Sequence, residues 1–237
     1  VELAGFPHHA LENYLPKLVR AGHRVAVCDQ LEDPKTAKTI VKRGVTEMVT
    51  PGVALNDQVL DARENNWLAA VHVVLEGRGQ SKRERAGVAF LDVSTGEFLA
   101  AEGAPSDIAP LLRTFRPKET LHLRHGEPES LDLTGYRFPL DDWMWQSDFA
   151  RETLERHFGT KGLKGFGLDG QPLAIIAAGA ALHYVGTTKH DRLGHIASLG
   201  RVEWGSNVAM DGFTIRNLEL LAPTHPEGVA LVDILDH

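Results

Sequence analysis

The stretch Gly87-Val88-Ala89-Phe90-Leu91-Asp92-Val93-Ser94-Thr95-Gly96-Glu97-Phe98-Leu99-Ala100-Ala101 decides the fold. Two apolar runs flank Ser94-Thr95-Gly96, which reads as a β-hairpin with glycine in its turn. Outward from it, Leu68 to Leu75 is a further apolar, β-branched run, and Gly77 to Arg85 between them reads as a polar, basic loop. A helix is expected from about Ser106 to Phe115, capped by Ser106 or Asp107. Glu119 to Leu123 reads as a short strand, and His125 to Asp142 as loop. Ser147 or Asp148 opens a helix to about Phe158, and the five glycines of 159–170 mark a connection. Pro172 to Tyr184 is a strongly apolar helix with proline in its first turn and Gly186 at its end. Strands first and helices later, on one sheet, give an α/β domain.

The flanks read differently. Ala10, Leu11, Tyr14, Leu15, Leu18 and Val19 recur at helical spacing between Pro7 and Gly22. Pro16 lies inside that pattern and predicts a kink or a shifted ladder. Arg24 to Cys28 reads as a buried strand closed by Asp33-Pro34, and Ile40 to Thr50 as a second strand ending at the Pro51-Gly52 turn. One helix and two strands cannot bury a core alone, so this is expected to be the tail of a larger domain. At the other end, His195 to Val208 reads as extended. Asp211 is placed as the cap of a helix through Phe213, Ile215, Leu218 and Leu221, with Arg216 and Glu219 paired one turn apart. Pro223 to Gly228 breaks it, and a further helix begins at Val229.

The chain has 237 residues, 25 basic and 32 acidic side chains and a net charge of −7. A hydrophobic share of 43% excludes a disordered chain. No apolar run reaches the ~20 residues of a membrane span, and no signal peptide opens the chain. No membrane partner is therefore expected. The single cysteine, Cys28, excludes an internal disulfide or a cysteine zinc site and points to a reducing cytoplasm. Residues 1–50 carry seven basic and six acidic side chains, whereas 51–199 and 200–237 are each at −4. The start at Val1 and the end at His237 suggest a piece of a longer chain.

Twelve histidines raise the question of a metal, but none falls in an HExxH pattern. No phosphate loop and no Gly-x-Ser-x-Gly elbow occurs, so ATP binding and a serine nucleophile are not expected here. Cys28 is assigned to core rather than to chemistry. Phe90 to Gly96 resembles the first strand of RNase H-like nucleases, whose two metal ions are held by several carboxylates. Glu119 opens a strand rather than ending one, and 172–184 holds no acid. Asp92 therefore reads as a structural aspartate near a turn, with an active metal-dependent nuclease as the alternative. His8 and His9, at the first helix start, join Lys35, Lys38, Lys42 and Arg43 as candidates for contacts to a DNA backbone. The other reading of this cluster is a solvated basic turn.

Several blocks together carry a resemblance. GFPHHALENYLPKLVRAGHRVAVCDQLEDP at 5–34 and VKRGVTEMVTPGV at 41–53 resemble the end of the mismatch-recognition domain of the MutS family of DNA mismatch-repair proteins. NNWLAA at 65–70, GVAFLDVSTGEF at 87–98 and GFGL at 165–168 resemble the connector domain that follows it. MDGFTIRNLEL at 210–220 resembles the beginning of the core, or lever, domain. The resemblance covers nearly the whole chain. It implies 1–54 as the C-terminal part of the recognition domain, 55–200 as an RNase H-like connector with a mixed sheet flanked by helices, and 201–237 as the start of an α-helical core. It also implies a non-catalytic piece that docks the MutL partner and links binding of mismatched double-stranded DNA to the ATPase of a homodimeric parent. The family's Phe-x-Glu mismatch reader and its ATPase, with ATP and Mg, are expected to lie outside this chain, leaving it no cofactor of its own.

Overall fold

The computed structural model describes residues 8–32, 41–53, 65–77, 82–126, 128–189, 193–202, 212–225 and 228–235. A 3-10 turn at His8–Ala10 leads into α1 (Leu11–Arg20), then an antiparallel ribbon of β1 (Val25–Gln30) and β2 (Arg43–Val49). β3 (Trp67–Glu76), β4 (Arg83–Asp92) and β5 (Phe98–Gly103) follow, then α2 (Pro105–Phe115), β6 (Glu119–Leu123) and β7 (Tyr136–Leu140). Next come α3 (Ser147–Phe158), α4 (Pro172–Lys189) and the two-residue β8 (Gly200–Arg201). The chain forms two compact units, 1–202 and 203–237.

The first unit is a mixed α/β structure built on a six-stranded sheet of order β7-β6-β3-β4-β5-β8. β3, β4 and β5 are antiparallel neighbours, whereas β6 runs parallel to β3 and β7 parallel to β6. Successive residues of the central strands serve opposite faces. Leu68, Ala70, Ala89 and Leu91 join the core under α3 and α4, whereas Trp67, Ala69, Val88 and Phe90 join the core with Ile108 and Leu112 of α2. Cover on both faces explains why β3 and β4 read as unbroken apolar runs. On the α2 side Phe115 stacks on Phe90 at 4.2 Å and meets Trp67 edge-on at 5.0 Å. Under the opposite face, small residues let α4 lie close. A Cβ at Gly179 would stand 2.4 Å from Cα of Ala150 on α3.

The structure corrects several expectations. β7 lies inside the stretch expected to be loop, and β4 starts at Arg83, two residues before the expected basic loop ends. α4 runs past Gly186 to Lys189, and in its last turn the Thr187 and Thr188 hydroxyls donate to the carbonyls of Tyr184 and Val185. β1 is mostly exposed rather than buried, since within the sheet it pairs with β2 alone, and Cys28 is exposed on it. Asp33 and Pro34 lie outside the described residues. Pro16 sits within a continuous α1, buried beside Leu15 and Val19. Asp107 accepts from the N–H of Ala104 at 3.0 Å and so serves the start of α2 from its third position.

In the second unit, α5 (Gly212–Asn217) and α6 (Leu231–Leu235) are shorter than expected, and Asp211 lies outside the described residues. Glu219 is not paired to Arg216. It lies beyond α5 at φ +49°, and its carboxylate accepts from the backbone N–H and hydroxyl of Thr224. Those two bonds lower its pKa. Among the described residues no helix is long and apolar enough to cross a membrane.

Candidate functional site

The expected DNA-contact residues are only partly brought together. Lys42 and Arg43 stand side by side, exposed, at the end of the ribbon where Arg43 faces Gln30. The two strand ends are tied together there: the Lys42 N–H donates to the Glu32 carboxylate at 2.7 Å, and the Leu31 N–H to the Lys42 carbonyl at 2.9 Å. His9 is exposed on a separate element, the 3-10 turn ahead of α1. Lys35, Lys38 and the His8 side chain lie outside the described residues.

Asp92 is fully buried at the end of β4. Its Oδ1 accepts from the Ser94 N–H at 2.8 Å and the Ser94 hydroxyl at 2.6 Å, and its Oδ2 accepts from the Asn66 N–H at 3.0 Å. Both oxygens are thus committed to the β4–β5 turn and to the approach of β3. Among the described residues no group of three or more His, Cys, Asp and Glu side chains could hold a metal ion.

The residue that sequence reasoning set aside is Glu119. It opens β6, an interior strand between β7 and β3, and is 1% exposed. A carboxylate there must find donors. Its Oε2 accepts from the Thr50 hydroxyl at 2.6 Å and the Gly52 N–H at 3.0 Å, in the turn that follows β2. Its Oε1 accepts from the Tyr184 hydroxyl of α4 at 2.5 Å. Burial first, and then the Glu119 charge, raise the Tyr184 pKa far above its ordinary value of 10.0. The sequence shows an acid heading an apolar strand, whereas the strand's two neighbours and the donors appear only in the fold.

Two further contacts flank this carboxylate. The Arg24 guanidinium lies 3.8 Å from the centre of the Phe138 ring and 5.6 Å from that of Tyr184. Such a contact stabilises by roughly 0.5–2 kcal/mol, more as it is desolvated. The Tyr136 hydroxyl donates to the Arg20 carbonyl at 3.0 Å. Gly22, at φ +88°, leaves room for this: a Cβ there would stand 1.9 Å from the Tyr136 ring. The helix–ribbon segment is therefore joined to the sheet at one end of the ribbon, where Arg24 and Thr50 flank the paired Val25 and Val49.

Residues 1–58 match MutS domain I, and residues 66–197 match MutS domain II. The chain belongs to the MutS family. DNA mismatch repair protein MutS of Parabacteroides distasonis is 50% identical over 100% of this chain, and that of Christiangramia forsetii 53% over 99%. The MutS protein of Porphyromonas gingivalis is 51% identical over 100%. The chain spans about a quarter of the length of these relatives, 26–27%. It carries MutS domains I and II, and the family's ATPase domain is not among the matched regions. The helix–ribbon segment lies in the domain I match, and the six-stranded sheet, apart from β8, in the domain II match. The Glu119 contacts therefore cross from one to the other.

Proposed function

We propose that this chain is the portion of a MutS mismatch-repair protein that joins DNA-backbone contacts to a partner-docking connector. The observation that carries the reading is the match to domains I and II in order, with a hydrogen-bonded junction between them. Residues 1–54 then belong to the mismatch-recognition domain, 55–200 to the connector and 201–237 to the start of the core. The strand order, three antiparallel strands extended by parallel β6 and β7, supports an RNase H-like connector. The commitment of both Asp92 oxygens to a turn favours a non-catalytic version of that fold over a nuclease.

In this reading the exposed Lys42 and Arg43, with His8, His9, Lys35 and Lys38, meet phosphates of a mismatched duplex and position it without reading sequence. The acidic connector docks MutL. ATP and Mg²⁺ belong to the ATPase of a homodimeric parent in the bacterial cytoplasm. No stretch of this chain has the glycine-rich phosphate loop and lysine that would hold a nucleotide, so no step here runs through it. The test is crosslinking of MutL to full-length protein carrying these domains, with surface charge reversals on α3 at Asp148 and Glu155. Loss of the crosslink supports docking on this domain. Undiminished crosslinking in every surface variant, with none mapping to residues 55–200, ends it.

A further inference from the structure

Glu119 has no donor within its own sheet: two of its three come from the domain I stretch and the third from α4. A buried carboxylate at the edge of a domain that only needed to fold would find donors there, or be replaced by an apolar side chain. Here the acceptor is supplied by one domain and two of its donors by the other. We infer that Glu119 is a positioning residue, which fixes the orientation of the helix–ribbon segment, and with it Lys42 and Arg43, on the domain II sheet.

The geometry argues for orientation as well as attachment. Arg20 to Arg24, at the end of α1, is held by Tyr136 and by the Phe138 and Tyr184 rings. Thr50 to Gly52, at the end of β2, is held by Glu119. Both lie at the same end of the ribbon, beside the paired Val25 and Val49, one on the approach from α1 and one on the exit from β2, and together they oppose the rotation that either alone would allow. Tyr184 serves both, since its hydroxyl donates to Glu119 and its ring lies near Arg24. The contacts on Arg24 are forgiving of small displacements. The Glu119 bonds, at 2.6 and 3.0 Å from one oxygen, are not. Release of this carboxylate is therefore the step that frees the segment to swing.

The chain supplies its own probe. Cys28 is its single cysteine and is exposed on β1. A second label on an Asp148→Cys variant, at the exposed start of α3, gives a distance across the junction by pulsed electron resonance. The parent is expected to show one narrow distance. Glu119→Ala is expected to broaden it about twofold or split it, as a hinge does when its contacts are lost. Glu119→Gln is expected to restore the narrow distance. Its amide oxygen can take the Thr50 and Gly52 donors, and its NH₂ can donate to the Tyr184 oxygen. A purely structural loss of charge would not be rescued in this way. A distance in Glu119→Ala as narrow as the parent's overturns the assignment. If circular dichroism shows Glu119→Ala unfolded, Thr50→Val decides by the same measurement: broadening supports the assignment, and an unchanged distance overturns it. The consequence for DNA rests on the function proposed above, whereas the junction does not. Broadening without any change in duplex affinity leaves the junction standing and removes the DNA-contact reading.

Discussion

Asp92 uses both of its oxygens, and the use fixes what its loss should do. Asp92→Ala leaves the buried Asn66 N–H without an acceptor and takes one from the Ser94 N–H in the exposed turn. At roughly 1–3 kcal/mol for a buried group left unpaired, the variant is expected to lose about 2 kcal/mol of stability in a urea melt. Stability equal to the parent's would contradict the turn role. His72 gives a pH dependence instead. Its ring stacks on Trp145 at 5.4 Å, and burial lowers its pKa below 6.5. The unfolded chain therefore takes up the proton more readily than the fold does. The stability is complete above pH 6.5 and is lost as the pH falls from there through the lower folded value. His183 shifts in the same direction, through burial and then through Arg156. His72→Phe keeps a ring against Trp145 and removes the titrating group, so its stability is expected to decline less steeply below pH 6.5. Parallel curves for the two proteins would refute this.

At the scale of elements, α3 and α4 approach each other closely where Ala150 meets Gly179. Helix preference alone favours alanine over glycine by about 1 kcal/mol. The added Cβ, 2.4 Å from Cα of Ala150, meets backbone that cannot move cheaply. Overpacking of this kind costs about 1–3 kcal/mol and is expected to win. Gly179→Ala should thus lower the midpoint of thermal unfolding, whereas an increase would mean that the helices separate freely. The same physics explains what was legible in the sequence. β3, β4, β5 and the apolar α4 were readable because burial on both faces demands unbroken apolar runs. β7 was not, because it is an edge strand with only Leu140 buried, with Pro139 in it and glycine at its approach. Gly186 looked like a helix stop because glycine commonly ends helices, whereas here it lies inside α4. Glu119 was visible as a residue but not as a junction, since its donors are 65 to 69 residues away in the chain. Lys42 and Arg43 were recognisable as a basic pair. That His9 stands on a different element, at the start of the first helix, was legible as well.

For the first unit as a whole, charge and packing are unevenly shared. The domain I stretch has a small core of Leu15, Val19 and Val49, with Leu11 and Val25 against it. The domain II stretch holds most of both large clusters, to which Val53 of the domain I stretch is joined. The smaller part is tied to the larger through the junction, and it also holds the exposed Lys42 and Arg43. If that pair meets phosphates, each contact releases condensed counterions, and the logarithm of affinity falls by about 0.9 per contact for each logarithmic unit of salt. Replacing both Lys42 and Arg43 by alanine in full-length protein is then expected to reduce the salt slope by about two and to weaken binding at low salt most. The loss should be the same for a mismatched and a fully paired duplex, because phosphate contacts position the protein and carry no base information. Titration of the two duplexes over a range of salt decides it. A loss confined to the mismatched duplex would place these side chains at the bases, and an unchanged slope would return them to the solvent.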